Sequence, residues 1–233
     1  MARTVADAVH LLDAIVGFDP RDSEATSEAA RFIPDGGYRQ FLNGYGIMGK
    51  RLGVIRRPFF DMMNRFIVSA FENHLDLLRS YSGELMLLQA EFKSSLNQYL
   101  KELRISSVRS LADIIEFNQM NPELEKLEEY GQHILIESEK TNGIGEKERK
   151  AAEYLEKLSV DGFEKVMKEK EQKLDALEAP GISLAMTVLA IGGYPGISVP
   201  AGYQSNGMPC GICFGGLKGS EPKLIEVAYA LPG

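Results

Sequence analysis

The 233 residues suffice for one large domain or two small ones, and a 44% hydrophobic share beside 25% charged residues supports a packed core over wholesale disorder. A formal net charge of −7 speaks against nucleic acid, whose phosphates need a basic face. Two cysteines cannot staple a chain of this length, and no stretch reaches the roughly 18 apolar residues of a membrane span.

Along the chain, Thr4–Val16 has helical spacing through Val5, Ala8, Val9, Leu12, Ile15 and Val16. Thr4 and Asp7 form a capping-box pattern, and Gly17 is placed to end the helix. Asp19-Pro20-Arg21-Asp22 predicts a turn, and the polar stretch to Gly37 a surface loop. Arg51–Arg56 is a short strand candidate closed by Pro58, and about Asp61 to Leu78 predicts a helix. Gly83 opens a long helix carried by Leu85, Leu88, Phe92, Leu96, Tyr99 and Leu103. Ser110 and Asp113 repeat the capping box for a helix that Pro122 stops. Short helical pieces follow to Lys140, and Thr141–Gly145 turns the chain.

Glu146 to about Lys173 mixes acids and bases around a thin stripe of Tyr154, Leu155, Leu158, Phe163, Val166 and Leu174. This predicts a solvated helix pair broken near Asp161-Gly162. The heptad is too irregular for a coiled coil, although an interaction helix is the non-catalytic alternative for this chain. The last quarter predicts a strand over Asp175–Ala179, an apolar helix or strand over Ile182–Ile191, and strands at Ile197–Pro200 and Gly211–Phe214 around a Ser205-Asn206-Gly207 turn. Glu221–Leu231 predicts a final helix. Helices followed by buried strands suit an α/β domain.

Candidate chemistry is thin. Cys210-Gly211-Ile212-Cys213 matches C-x-x-C, but a strand points residues three apart to opposite faces, and zinc would need two further ligands. His10, His74 and His133 are not at ligand spacing, so neither a metal nor a cofactor is expected. Gly192-Gly193-Tyr194-Pro195-Gly196 precedes a strand and not a helix, which fits a tight strand entry where backbone meets backbone better than a phosphate cradle. Ser198 has neither an elbow nor a visible base.

Two blocks carry a resemblance. Met1-Ala2-Arg3-Thr4-Val5-Ala6-Asp7 runs on to Leu11-Leu12-Asp13-Ala14-Ile15. Gly192-Gly193-Tyr194-Pro195-Gly196-Ile197-Ser198-Val199-Pro200-Ala201-Gly202 is followed by Met208-Pro209, Gly211-Ile212, Phe214-Gly215-Gly216 and Glu221. With Arg51-Leu52-Gly53-Val54, Ser110-Leu111-Ala112-Asp113 and Glu139–Gly145 between them, nearly the whole chain resembles the C-terminal portion of the amidase-signature family, in its plant-type branch. The resemblance implies a mixed sheet flanked by helices, incomplete here, with residues 83–174 as a mainly helical excursion from one partial domain.

It also implies amide hydrolysis by a Ser, a second Ser in a cis peptide and a Lys, with backbone N–H groups as the oxyanion hole. In the family these precede the Met-Ala-Arg-Thr block, so none is carried over, and Lys50 and Ser198 are not substitutes. Ile197 and Ser198 are the residues expected to line part of a substrate cavity. The family inserts a strand and loop between Arg79–Ser82 and Gly83-Glu84, and it continues a helix where Tyr229–Gly233 diverges. The expectation is a fragment without activity of its own, from a partial gene model, a splice product or a degenerate copy, with a small amide as substrate only if the other half is supplied. No secretory signal is visible, which leaves a cytoplasmic setting as the default.

Overall fold

A computed structural model describes residues 2–55, 83–169, 173–181, 185–203 and 207–231. The helix expected over 61–78 and the family insertion point at 79–82 lie outside the described residues, as do the first two residues of the 205–207 turn. The chain divides into two compact units. Among the described residues, one unit comprises 2–55 and 158–231, and the other 83–157.

The first unit carries a mixed sheet of β1 (Leu52–Val54), β2 (Ala176–Pro180), β3 (Gly196–Tyr203) and β4 (Pro209–Gly215), in the order β1-β2-β4-β3. β1 runs parallel to β2, with Leu52 opposite Ala176, whereas β4 is antiparallel to both neighbours. The alternation of strand side chains divides the core into two layers. Ala176, Val199 and Phe214 face α10 (Glu221–Tyr229), where Leu224, Val227 and Ala228 cover them. Leu177 and Cys213 face the other way, under Phe163, Met167, Leu189 and Tyr194. Both faces are therefore helix-covered, which agrees with the expected α/β class.

α1 (Val5–Ile15) starts as predicted, with Thr4 Oγ1 accepting from the Asp7 N–H at 3.1 Å. Gly17 does not terminate it. The chain leaves the helix at Val16 in an extended conformation, with the Val16 N–H bonded to Leu12 O. Val9 packs with Tyr38 and with Ile225 of α10. Nor is the stretch from Asp19 to Gly37 a plain loop. It holds a 3-10 turn at Pro20–Asp22 and α2 (Ser23–Ala30). Thr26 Oγ1 donates to Asp22 O at 2.7 Å and accepts from the Asp19 N–H at 3.0 Å, fixing the turn against the helix.

Gly46 lies hard against α10. A Cβ there would sit 2.5 Å from Glu226 O, and Lys50 ties the same segment to Glu226 Oε2 at 2.7 Å. Because the obstacle includes backbone, Gly46→Ala is expected to cost about 1–3 kcal/mol, read by urea denaturation. A loss of a few tenths would mean that this approach is looser than the structure gives it.

The second unit is helical. α3 (Glu84–Glu102) follows Gly83, whose φ of +77° suits glycine at the helix entry. The periodic residues that announce α3 are not its most buried ones. Leu85, Leu88, Phe92 and Tyr99 are exposed, while Ala90 and Leu100 are buried. α4 (Leu111–Met120) is capped as predicted: Ser110 Oγ accepts from the Asp113 N–H at 3.1 Å, and Asp113 Oδ2 accepts from the Arg109 N–H at 2.7 Å. Ser110→Ala is expected to cost about 1 kcal/mol in the helical unit's melt. α5 (Leu127–Tyr130) and α6 (His133–Glu139) are the short pieces anticipated. Lys93 Nζ closes the end of α6 by donating to Glu139 O at 2.5 Å and Thr141 O at 3.0 Å.

α7 (Glu146–Ser159) runs into a π-helical turn over Val160–Glu164 and then α8 (Lys165–Lys168). The interruption falls where Asp161-Gly162 predicted a break. Its extra residue per turn shifts the apolar stripe, which no continuous heptad survives.

Candidate functional site

The site is built on the sheet face opposite α10. α9 (Ala185–Gly192) descends onto this face because two strand glycines make room for it. A Cβ at Gly215 would meet Leu189 at 2.6 Å, and one at Gly196 would meet it at 2.9 Å. Gly192 is equally constrained, since its Cβ would run into the Tyr194 ring. The glycine loop thus admits side chains at 192 and 196, where the sequence suggested backbone. Backbone contact occurs instead at Gly211, whose Cβ would lie 2.9 Å from Val199 O. Gly193 turns the loop with a φ of +62°.

The loop delivers Tyr194 to a buried position. Its ring centroid lies 4.6 Å from that of Phe163, and its hydroxyl donates to Glu164 Oε1 at 3.1 Å. Hydrogen bonding from Lys168 holds the Glu164 carboxyl below the usual range; burial opposes this, and the Tyr194 bond reinforces it. The π-helical turn presents Phe163 and Glu164 side by side to this tyrosine.

Between Phe163, α9 and the sheet lies an apolar cavity of about 50 Å³. Leu177 and Ala179 of β2 form its floor with Cys213 and Gly215 of β4, while Val188, Leu189 and Ile55 close it. It is far smaller than the roughly 300 Å³ at which ligand pockets begin. These residues can therefore shape one end of an apolar acyl group's surroundings, but they do not enclose a substrate.

The two residues expected to line a cavity are separated by the sheet. Ile197 packs into the layer under α10, opposite Phe214 on β4. Ser198 points to the other face, opposite Cys213. Neither lines the 50 Å³ cavity. Ser198 is exposed, and the contact that bears on its chemistry is with the Cys213 thiol. Burial pushes that thiol up, against a smaller opposing effect of the Ser198 hydroxyl. A thiol held in its protonated form is a poor nucleophile. Cys210 and Cys213 are both free, and strand alternation directs them to opposite faces, as predicted. Lys50 is engaged by Glu226 and is not available as a base. Among the described residues no group of three or more His, Cys, Asp or Glu side chains could hold a metal ion.

No protein-family model matches the chain. A probable amidase of Arabidopsis thaliana is 51% identical over 99% of this chain and 46% of its own length. The native peptide amidase of Stenotrophomonas maltophilia superposes with a TM-score of 0.79 at 32% identity, covering 99% of this chain and 51% of that one.

This chain belongs to the amidase-signature family and corresponds to its C-terminal portion.

An amidase family protein of Bacillus anthracis extends the likeness: its TM-score is 0.78 at 29% identity, over 99% of this chain and 46% of that one. The chain spans about half the length of the relatives it matches. The amidase-signature sheet face accordingly offers an apolar wall and a buried tyrosine whose hydroxyl is held by Glu164. The sequence pointed to the glycine loop but not to Phe163, Val188 or Ile55. Those residues reach the cavity from three elements, and no local pattern marks their convergence.

Proposed function

We propose that this chain is the C-terminal half of a hydrolase of carboxylic-amide C–N bonds, supplying fold and substrate-pocket wall, and that by itself it turns over no amide. The observation that carries this reading is the 51% identity to a probable amidase, sustained over 99% of the chain while spanning 46% of that relative. The apolar cavity beside α9 supports an apolar acyl group as one end of the substrate. Ile197 and Ser198 remain candidates for substrate contact, each from its own sheet face.

The test is hydrolysis of a chromogenic amide by the purified 233-residue chain, alone and mixed with the N-terminal half of the Arabidopsis relative. No turnover alone, with turnover in the mixture, is the expected result. Hydrolysis by the chain alone overturns the reading.

The half-length match also favours a second reading, in which the gene encodes a complete amidase and this sequence is a part of it. The coding DNA upstream of Met1 separates the two. A glycine- and serine-rich loop in frame supports the complete enzyme, and an in-frame stop without a splice acceptor refutes it.

A further inference from the structure

We propose that Asn142, in the loop between α6 and α7, is a site of spontaneous deamidation, converting to aspartate and isoaspartate while the chain is folded. This modification needs neither the amide reading nor a ligand.

The chemistry joins an asparagine side chain to the backbone nitrogen that follows it. That nitrogen loses its proton to hydroxide and attacks the side-chain carbonyl carbon Cγ. A C–N bond forms, the Cγ–Nδ2 bond breaks, and the side-chain nitrogen takes up a proton and leaves as ammonia. Water then opens the cyclic imide at either carbonyl. One opening gives aspartate, and the other gives isoaspartate, whose backbone runs through Cβ and Cγ. A following glycine favours the attack because no Cβ crowds its nitrogen.

The sequence holds three Asn-Gly pairs, at Asn43-Gly44, Asn142-Gly143 and Asn206-Gly207. Asn206 lies outside the described residues, which leaves two environments to compare. At Asn43 the side chain is held. Its Oδ1 accepts from the Tyr45 N–H at 3.0 Å, and its backbone carbonyl accepts from the Gly46 N–H at 2.9 Å. Gly46 is buried against the Glu226 backbone, which pins the turn. Swinging the Asn43 side chain onto the Gly44 nitrogen therefore breaks one bond and disturbs a second.

Asn142 carries no such restraint. Its side chain is exposed and makes no hydrogen bond or ion pair among the described residues, and the Gly143 N–H has no acceptor there. Gly143 has a φ of +81°, which glycine leaves at little cost, and a Cβ on it would meet nothing within 4 Å. The loop is anchored just outside this pair. Lys93 Nζ donates to Thr141 O at 3.0 Å, Thr141 Oγ1 donates to Ser138 O at 2.7 Å, and the Gly145 N–H donates to Glu148 Oε2 at 2.9 Å. The imide can thus form without opening either flanking helix. Isoaspartate lengthens the backbone by a methylene between those anchors, and either product adds a carboxylate close to Glu137 and Glu139 in the chain.

The experiment is incubation of the full 233-residue chain in mildly alkaline buffer, with and without urea, followed by tryptic mapping with mass spectrometry. Trypsin releases Asn142 within residues 141–147 and Asn43 within residues 40–50, so the two sites are read separately. In the folded chain the 141–147 peptide is expected to gain the deamidation mass of about 1 Da at least tenfold faster than the 40–50 peptide. In urea, where the turn at Asn43 is lost, the two rates should converge. Methylation of the converted 141–147 peptide by an isoaspartyl carboxyl methyltransferase identifies the isoaspartate product. A smaller ratio in the folded chain, or a tenfold ratio that persists in urea, would overturn the proposal, the second by assigning the preference to the neighbouring sequence.

Discussion

Phe214→Ala is expected to remove the cooperative unfolding of the sheet-bearing unit, or to lower its stability by about 3–5 kcal/mol. Phe214 is 1% exposed and stands on β4, one of the two strands hydrogen-bonded on both sides. Its ring joins Ala176 of β2 and Val199 of β3 to Leu224, Val227 and Ala228 of α10. Truncation strips the transfer free energy of the ring and leaves a void between a sheet and a helix that Ala176, Ala228 and their backbones cannot refill. Domains have only about 5–15 kcal/mol in total, so this one side chain holds a large share. Phe214→Leu keeps most of the volume and should cost about 1.5 kcal/mol or less once repacked. Urea denaturation followed by far-UV circular dichroism separates the two variants. An alanine variant within about 1 kcal/mol of the parent would mean that the layer under α10 is not the core.

What the sequence disclosed follows from which signals are local. α1, α3 and α4 were legible because apolar spacing and capping residues lie within each segment. The strands at the end were legible from short apolar runs between glycines and prolines. α2 was not, because Ser23-Glu24-Ala25-Thr26-Ser27-Glu28-Ala29-Ala30 has no apolar stripe and buries none of its residues. Its alanines favour a helix, but propensity is a weak prior beside Pro20 and the surrounding polar residues. Pairing was also beyond reach: β1 and β2 are joined across more than a hundred residues of chain, with Leu52 opposite Ala176.

The site shows the same division. Strand alternation implies that Ile197 and Ser198 face opposite ways, and the structure places them so. The glycines of the 192–196 loop predict backbone against backbone, whereas at Gly192, Gly196 and Gly215 the absence of a side chain lets a large neighbour pass.

Asp13→Ala is expected to cost about 2 kcal/mol at neutral pH, and the loss should shrink as the solution is acidified. Asp13 occupies the last turn of α1, where the helix end disfavours a negative charge. It is held there by donors from a distant turn. Oδ1 accepts from the Tyr38 N–H at 2.6 Å, and Oδ2 accepts from the Arg39 N–H at 3.2 Å and from Arg39 Nε at 3.0 Å. The Tyr38 bond is the main cause that holds this carboxyl below its ordinary 3.8, against an opposing effect of burial. The Arg39 guanidinium adds less, because that side chain is 65% exposed and water screens it. The folded-state pKa is depressed, so the charged form stabilises the fold at pH above 3.8, and this stabilisation is lost as pH falls through the lower folded-state value. The difference between parent and Asp13→Ala should therefore be constant from neutral pH down to about 5 and narrow below 3.8. Unfolding free energies of both proteins across that range decide it. A difference that persists unchanged into strong acid would assign the role of Asp13 to packing, and the Tyr38 amide would then need another acceptor to explain how α1 and α10 are held on either side of that tyrosine.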